Sequence, residues 1–175
     1  MDRFLIVTGD ITKSDAVAIV NPVSISLAGI NGVDGAIHRA AGPALHSEYR
    51  SLPACVPGCA ELTAGYNLRA HFVLHTTGPV WQGGGIGEPL LLASCYRSCL
   101  ELAAAHQLKS IDFPPLSVGL YRYPIMQAAF IAVETIMAFL ERETCPERVR
   151  IVCEDDATAS VFYQAYLTWC ICSSI

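Results

Sequence analysis

Short apolar runs alternate along the chain with longer stretches of helical periodicity. Phe4-Leu5-Ile6-Val7 lies within a strand predicted from Arg3 to Thr8, and Thr8-Gly9-Asp10 ends it. Ala16 to Asn21 (Ala-Val-Ala-Ile-Val-Asn) is continuously apolar up to its last residue, the pattern of a strand buried on both faces. Between Asp34 and Tyr49, the residues Ile37, Ala41 and Leu45 recur four apart and predict a helix. Further strands are expected at His71 to Thr76, Ser110 to Leu116 and Arg148 to Cys153. Further helices are expected at Glu88 to His106, Pro124 to Arg142 and Ala157 to Cys170. The proline in the first turn of the Pro124 helix does no harm, because the N–H it lacks has no partner there. Strands separated by helices imply an α/β fold, with helices on both faces of a mostly parallel sheet. No linker, repeat or low-complexity tract breaks the alternation, so residues 1–175 are expected to form one domain.

Composition narrows the field. With 53% hydrophobic and 15% charged residues the chain can bury a sizeable core, which excludes a disordered tail. A net charge of −5 argues against a sequence-blind grip on nucleic acid, which requires clustered cations. It does not exclude an anionic small ligand, since backbone N–H groups bind anions locally. The longest apolar stretch, Ile125 to Leu140, is interrupted by Gln127 and Glu134 and is too short and polar for a bilayer helix. The N-terminal apolar run has strand length and lacks the cleavage site of a signal peptide. The expectation is a soluble, cytoplasmic protein without a membrane or nucleic-acid partner. None of the eight cysteines shows CxxC spacing, so reduced thiols serving mostly as small core residues are expected. No set of His, Cys and Asp has metal-ligand spacing, and neither a metal nor a cofactor is assigned.

In open α/β sheets ligands bind where strand-to-helix loops gather, beyond the carboxyl ends of the strands. Three such loops carry chemistry. In Gly9-Asp10-Ile11-Thr12, Asp10 either caps a turn or accepts from an exocyclic amine. In the segment from Asn21 to His38, Gly29, Gly32 and Gly35 recur at three-residue spacing before a helix, so backbone N–H groups can approach a phosphate. A carboxylate repels phosphate, so Asp34 either caps that helix or faces a sugar hydroxyl or water as a candidate general base. In Ser117-Val118-Gly119-Leu120-Tyr121-Arg122-Tyr123-Pro124, Gly119 and the flanking amides can wrap a second phosphate. Tyr121 can wall off a sugar, and Arg122 either contacts phosphate or is solvated. Two phosphate-competent loops in one small domain suggest a diphosphate ligand. His38, His46, His71 and His75 read as inert.

Gly9-Asp10-Ile11-Thr12, Ile19-Val20-Asn21, the block from Gly32 to Gly42, His75 to Trp81 and Ser117 to Pro124 together resemble a macro domain. More narrowly, the chain is similar to the bacterial O-acetyl-ADP-ribose deacetylase branch, itself related to the mono-ADP-ribosyl hydrolases of eukaryotes. The resemblance spans Arg3 to about Leu167. It implies a three-layer α/β/α sandwich with a mixed, mostly parallel central sheet and ADP-ribose in a surface cleft. On this resemblance Asp10 takes the adenine amine, with Ile11 beside it. Asn21, the loop Gly29 to Gly35 (including Gly32, Val33 and Gly35) and the loop Ser117, Val118, Gly119, Leu120, Tyr121 hold the diphosphate and distal ribose. Asp34 activates or orients water. The expected ligands are ADP-ribose, O-acetyl-ADP-ribose and ADP-ribosylated proteins, and the expected reaction is hydrolysis of an ester at the distal ribose.

Several positions depart from the family pattern. Ser24 stands where relatives place an Asn beside the catalytic water, and it is grouped with Asp34 as a catalytic position. Pro22 and Val23 replace small residues, and Ile30 and Asn31 replace glycines. Val118 replaces a Thr, Arg122 a Gly, and Glu154 an aromatic near adenine. These changes motivate the alternative reading: a module that binds ADP-ribose or a related nucleotide with weak or no catalysis.

Overall fold

The computed structural model describes residues 3–24 and 31–173. Six strands form one sheet: β1 (Phe4–Thr8), β2 (Ala18–Pro22), β3 (Ala60–Ala64), β4 (Phe72–Thr76), β5 (Ser110–Phe113) and β6 (Arg148–Cys153). Five α-helices accompany them: α1 (Gly32–Ala41), α2 (Pro43–Ser51), α3 (Glu88–Ala105), α4 (Ile125–Leu140) and α5 (Asp156–Ser173). The strand order is β1-β6-β5-β2-β4-β3, and every pairing is parallel except that of β3 with β4. The expected α/β/α sandwich with a mixed, mostly parallel sheet is therefore the observed one.

Burial on both faces explains the unbroken apolar strands. On β2, Ala18 and Val20 join the core formed with α3, α4 and α5, whereas Ile19 joins the core formed with α1 and α2. The same period of two sends Leu74 of β4 to the first side and Val73 to the second. On the helical side, Ile37, Ala41 and Leu45 pack together as their spacing predicted, and Cys95, Cys99 and Cys153 serve as core residues. All eight cysteines are free thiols.

The main departures from expectation are a divided helix, a shortened strand and an added strand. Gly42, at φ +87°, and Pro43 divide the predicted Asp34–Tyr49 helix into α1 and α2, because proline cannot supply the N–H that would continue the first. Strand β5 ends at Phe113, since Pro114-Pro115 cannot donate to the ladder. Strand β3 was not expected. Ala-Glu-Leu-Thr-Ala has weak β-propensity, and its extended form depends on antiparallel pairing with β4.

One polar network crosses the face that α1 covers. Asp112 of β5 is fully buried and accepts from Ser14 Oγ (2.5 Å), Arg150 Nε (2.8 Å) and Arg150 Nη2 (2.7 Å). Ser14 Oγ also accepts from the N–H of Ala16 (3.0 Å). The network thereby fixes the chain between the loop after β1 and the start of β2. Replacing Asp112 with Ala leaves a partly buried guanidinium with Asp15 as its remaining acid. Urea unfolding is expected to show a loss of about 2–3 kcal/mol, near the low end for breaking a buried ion pair. An unchanged midpoint would contradict the structural role.

Candidate functional site

Parallel strands bring their carboxyl ends to one edge of the sheet, and the segments leaving them surround a cleft of about 900 Å3. That volume is within the range of small-molecule sites. Gly9 to Thr12 follow β1, Pro22 to Ser24 follow β2, and Pro114 to Tyr121 follow β5; all of them line the cleft. Asn31 to Asp34 line it from the start of α1, and Glu154, Asp155 and Thr158 line it after β6. Of the sites expected from the sequence, Asp10, Ile11, Ser24, Gly32, Val33, Asp34 and Ser117 to Tyr121 therefore share one cleft. Asn21 and Gly35 do not line it and are buried behind it. Arg122 is exposed and does not line it either. Gly29 and Ile30 lie outside the described residues.

The start of α1 offers backbone donors. Asn31 is its N-cap, and Gly32 and Val33 follow in the first turn, where N–H groups have no intrahelical carbonyl to bond. The positive end of the helix dipole faces the same way. Asp34 belongs to this first turn and is not the cap, so the capping alternative for it falls.

The second loop closes on itself. Arg122 N–H donates to the Gly119 carbonyl (3.0 Å) and Tyr123 N–H to the Ser117 carbonyl (2.9 Å). Ser117 and Arg122 sit at φ +66° and +55°, in the left-handed region where glycine is at ease and other residues are strained. Outside restraints hold that shape. Leu116 N–H donates to the hydroxyl of fully buried Tyr96 (3.1 Å), and Trp81 N–H donates to the Tyr121 carbonyl (2.9 Å). The Trp81 ring lies 4.7 Å from that of Tyr123.

Glu88 organises the segment that carries Trp81, and nothing in the sequence analysis singled it out. Its carboxylate accepts N–H groups of Gln82 (3.0 Å), Gly84 (3.0 Å) and Ile86 (2.9 Å). Desolvation raises its pKa, but these amides and its own outweigh that and hold it at about 2. The legible signal was an acid at a helix start directly after Gly83-Gly84-Gly85-Ile86-Gly87.

At the cleft's other end, Asp10 caps a short 3-10 turn. Its Oδ1 accepts from the N–H (3.0 Å) and hydroxyl (2.7 Å) of Thr12, while Oδ2 lies 3.6 Å from Lys13 Nζ. The Thr12 hydroxyl above all holds this carboxyl below its ordinary range.

Asp34 links the start of α1 to the sheet. Its side chain is nearly out of solvent, and its Oδ1 accepts from Asn21 Nδ2 at 2.8 Å. One turn along α1, His38 Nε2 lies 3.4 Å from the same oxygen. Burial, reinforced by nearby His46 and opposed by Asp34, lowers the His38 pKa. Behind Asn21, His75 Nδ1 stands 3.1 Å from Nδ2, and His75 Nε2 stands 2.8 Å from Thr63 Oγ1. Both histidines had been read as inert. His38 was legible as the residue four beyond Asp34 on one helix, whereas the proximity of His75 depends on the pairing of β2 with β4.

Burial, with the nearby His38, lowers the His75 pKa from 6.5 to about 3. Below about pH 6.5 the unfolded chain takes up a proton that the folded chain refuses. This contribution to stability is therefore complete above that pH and drains away as the pH falls towards 3. Between pH 7 and pH 5 the wild type is expected to lose about 2 kcal/mol more stability than His75→Asn in urea unfolding. Equal losses would mean that His75 is not held neutral.

Residues 20–132 match the family model described as Macro domain. A macro domain-containing protein of Mesorhizobium japonicum is 53% identical over 165 residues, covering 94% of each chain. The O-acetyl-ADP-ribose deacetylase of Salmonella gallinarum is 47% identical over 164 residues, covering 91% of this chain and 92% of its own. Among solved structures, the Oceanobacillus iheyensis macrodomain with ADP superposes with a TM-score of 0.90 at 40% identity. That match covers 98% of this chain and 93% of the other.

Proposed function

We propose that this chain, which belongs to the macro domain family, binds ADP-ribose in the cleft and hydrolyses esters at the distal ribose. The substrates on this reading are O-acetyl-ADP-ribose and ADP-ribose carried on acidic side chains. The observation that carries the proposal is the meeting of Asn31 to Asp34 and Ser117 to Tyr121 around one cleft, with a nearly buried carboxylate among them. Backbone donors on two sides suit a diphosphate, which has anionic oxygens on both phosphorus atoms. The ADP complex of the Oceanobacillus iheyensis relative and the deacetylase of Salmonella gallinarum point to the same ligand class.

In the proposed reaction Asp34 takes a proton from water as the water oxygen adds to the acyl carbon. The bond from that carbon to the ribose oxygen then breaks, the proton passes to the ribose oxygen, and a carboxylic acid leaves. Asn21 donates to Asp34 Oδ1 and keeps that oxygen in place while charge moves. Burial lowers the His38 pKa, which works against a full ion pair between that imidazole and the carboxylate.

Asp34→Ala is expected to lower turnover of O-acetyl-ADP-ribose on the order of a hundredfold or more, the usual loss for a removed general base. Calorimetric affinity for ADP-ribose is expected to change far less. Unchanged turnover would remove Asp34 from the chemistry. The second reading, binding with little turnover, draws on Ser24, which lines the cleft with a hydroxyl in place of an amide. It expects ADP-ribose binding with no detectable product in the wild type, and activity gained in Ser24→Asn.

A further inference from the structure

The buried histidine of β4 has no part in the chemistry described so far. It does not line the cleft, and no solvent reaches it. Its surroundings nonetheless determine where its protons are. Asn21 is fully buried, and its amide nitrogen faces both Asp34 Oδ1 and His75 Nδ1. Turning the amide over would press Oδ1 of Asn21 against a carboxylate oxygen in a low-dielectric interior, so the observed orientation is the electrostatically allowed one. Both hydrogens of the NH2 group are then committed, one to Asp34 and one to His75.

A donor facing Nδ1 requires a lone pair there. The imidazole must be neutral with its proton on Nε2, and that proton goes to the hydroxyl oxygen of Thr63, itself buried on β3. Among the groups around the ring, Glu61 stands opposite His75 in the β3–β4 register, and burial of the ring still favours the neutral form. The Tyr49 ring lies 4.6 Å away and the His38 ring 6.4 Å away, so neither places an opposite charge against it. The Cys55 thiol bonds the His75 carbonyl and leaves the ring alone.

A proton on Nδ1 would face the NH2 of Asn21 donor to donor. The amide would have to turn, and its oxygen would then repel the Asp34 carboxylate. We infer that His75 is a positioning residue: its Nε2–H tautomer, whose proton Thr63 Oγ1 accepts, supplies at Nδ1 the acceptor that helps hold the Asn21 amide in the orientation that aims Asp34 at the cleft. The relay runs from edge strand β3 through β4 and β2 to the start of α1. This inference rests on the reading of Asp34 as the group that handles water.

Two variants of matched shape test it. His75→Leu and His75→Asn both remove the ring and leave similar space, but only the second keeps an acceptor where Nδ1 stood. Turnover of O-acetyl-ADP-ribose is expected to be about tenfold lower in His75→Leu than in His75→Asn, the worth of one neutral hydrogen bond. ADP-ribose affinity is expected to stay within about twofold between the two, because the binding loops are untouched. Equal kcat in the two variants, beside an active wild type, overturns the role of His75. An inactive wild type places the failure with the proposed reaction instead. Histidine nitrogen NMR of the wild type decides the matter without turnover and without either variant folding. A neutral Nε2–H tautomer for His75 from pH 5 to pH 8 is expected, and an Nδ1–H tautomer or an imidazolium in that range rules the relay out.

Discussion

A single amide hydrogen bond, from Asn21 Nδ2 to Asp34 Oδ1 at 2.8 Å, ties the sheet to the first turn of α1. Asn21 belongs to the central strand β2, which is held between β4 and β5. Asp34 belongs to the turn whose backbone amides line the cleft. Burying a carboxylate is costly unless its oxygens find donors, so this bond decides whether Asp34 can remain nearly out of solvent beside the ligand space. Loss of the bond would remove a short hydrogen bond between two buried side chains and weaken the tie of the helix start to the sheet.

The rest of the cleft is braced in the same manner, by groups that do not themselves line it. Glu88 gathers three amides and so fixes the segment whose Trp81 N–H holds the Tyr121 carbonyl. Tyr96 reaches from α3 to the amide of Leu116, where the second loop begins. Asp112 and Ser14 secure the chain just after the turn that Asp10 caps. Anchors of this kind suit a site that must present backbone donors, because the geometry of main-chain N–H groups is set only by the path of the chain. They also reconcile strain with order: Ser117 and Arg122 keep left-handed backbone conformations because bonds from neighbouring elements over-determine the loop.

How far this was legible in the sequence depended on whether the signal was local. Continuous apolar runs gave the inner strands and their two-sided burial, and Ile37, Ala41 and Leu45 gave the helical face that packs on them. The loops of the cleft could be found because they follow strand ends and carry glycine. The break at Gly42-Pro43 was present in the letters but was overridden by the apolar period on either side. Strand β3 was hidden, since Ala60 to Ala64 become extended only through pairing with β4. The partners of Asp34 were of two kinds. His38 lies four residues on and was within reach of a helical argument, while His75 comes beside Asn21 only once β2 and β4 align in register. Glu88 was obscured for a similar reason, because its role is to gather amides whose directions exist only after the loop has closed.

The central claim is that a pyrophosphate spans the two amide-bearing loops while the adjoining sugar sits over the carboxylate that Asn21 holds. A crystal structure of the wild-type chain with ADP-ribose tests this most directly. The account predicts phosphate oxygens within hydrogen-bond distance of backbone N–H groups among residues 32–34 and 117–121, and a water between Asp34 and the distal ribose. A ligand seated elsewhere, or a distal ribose lying away from an Asp34 that remains turned to Asn21, would contradict it.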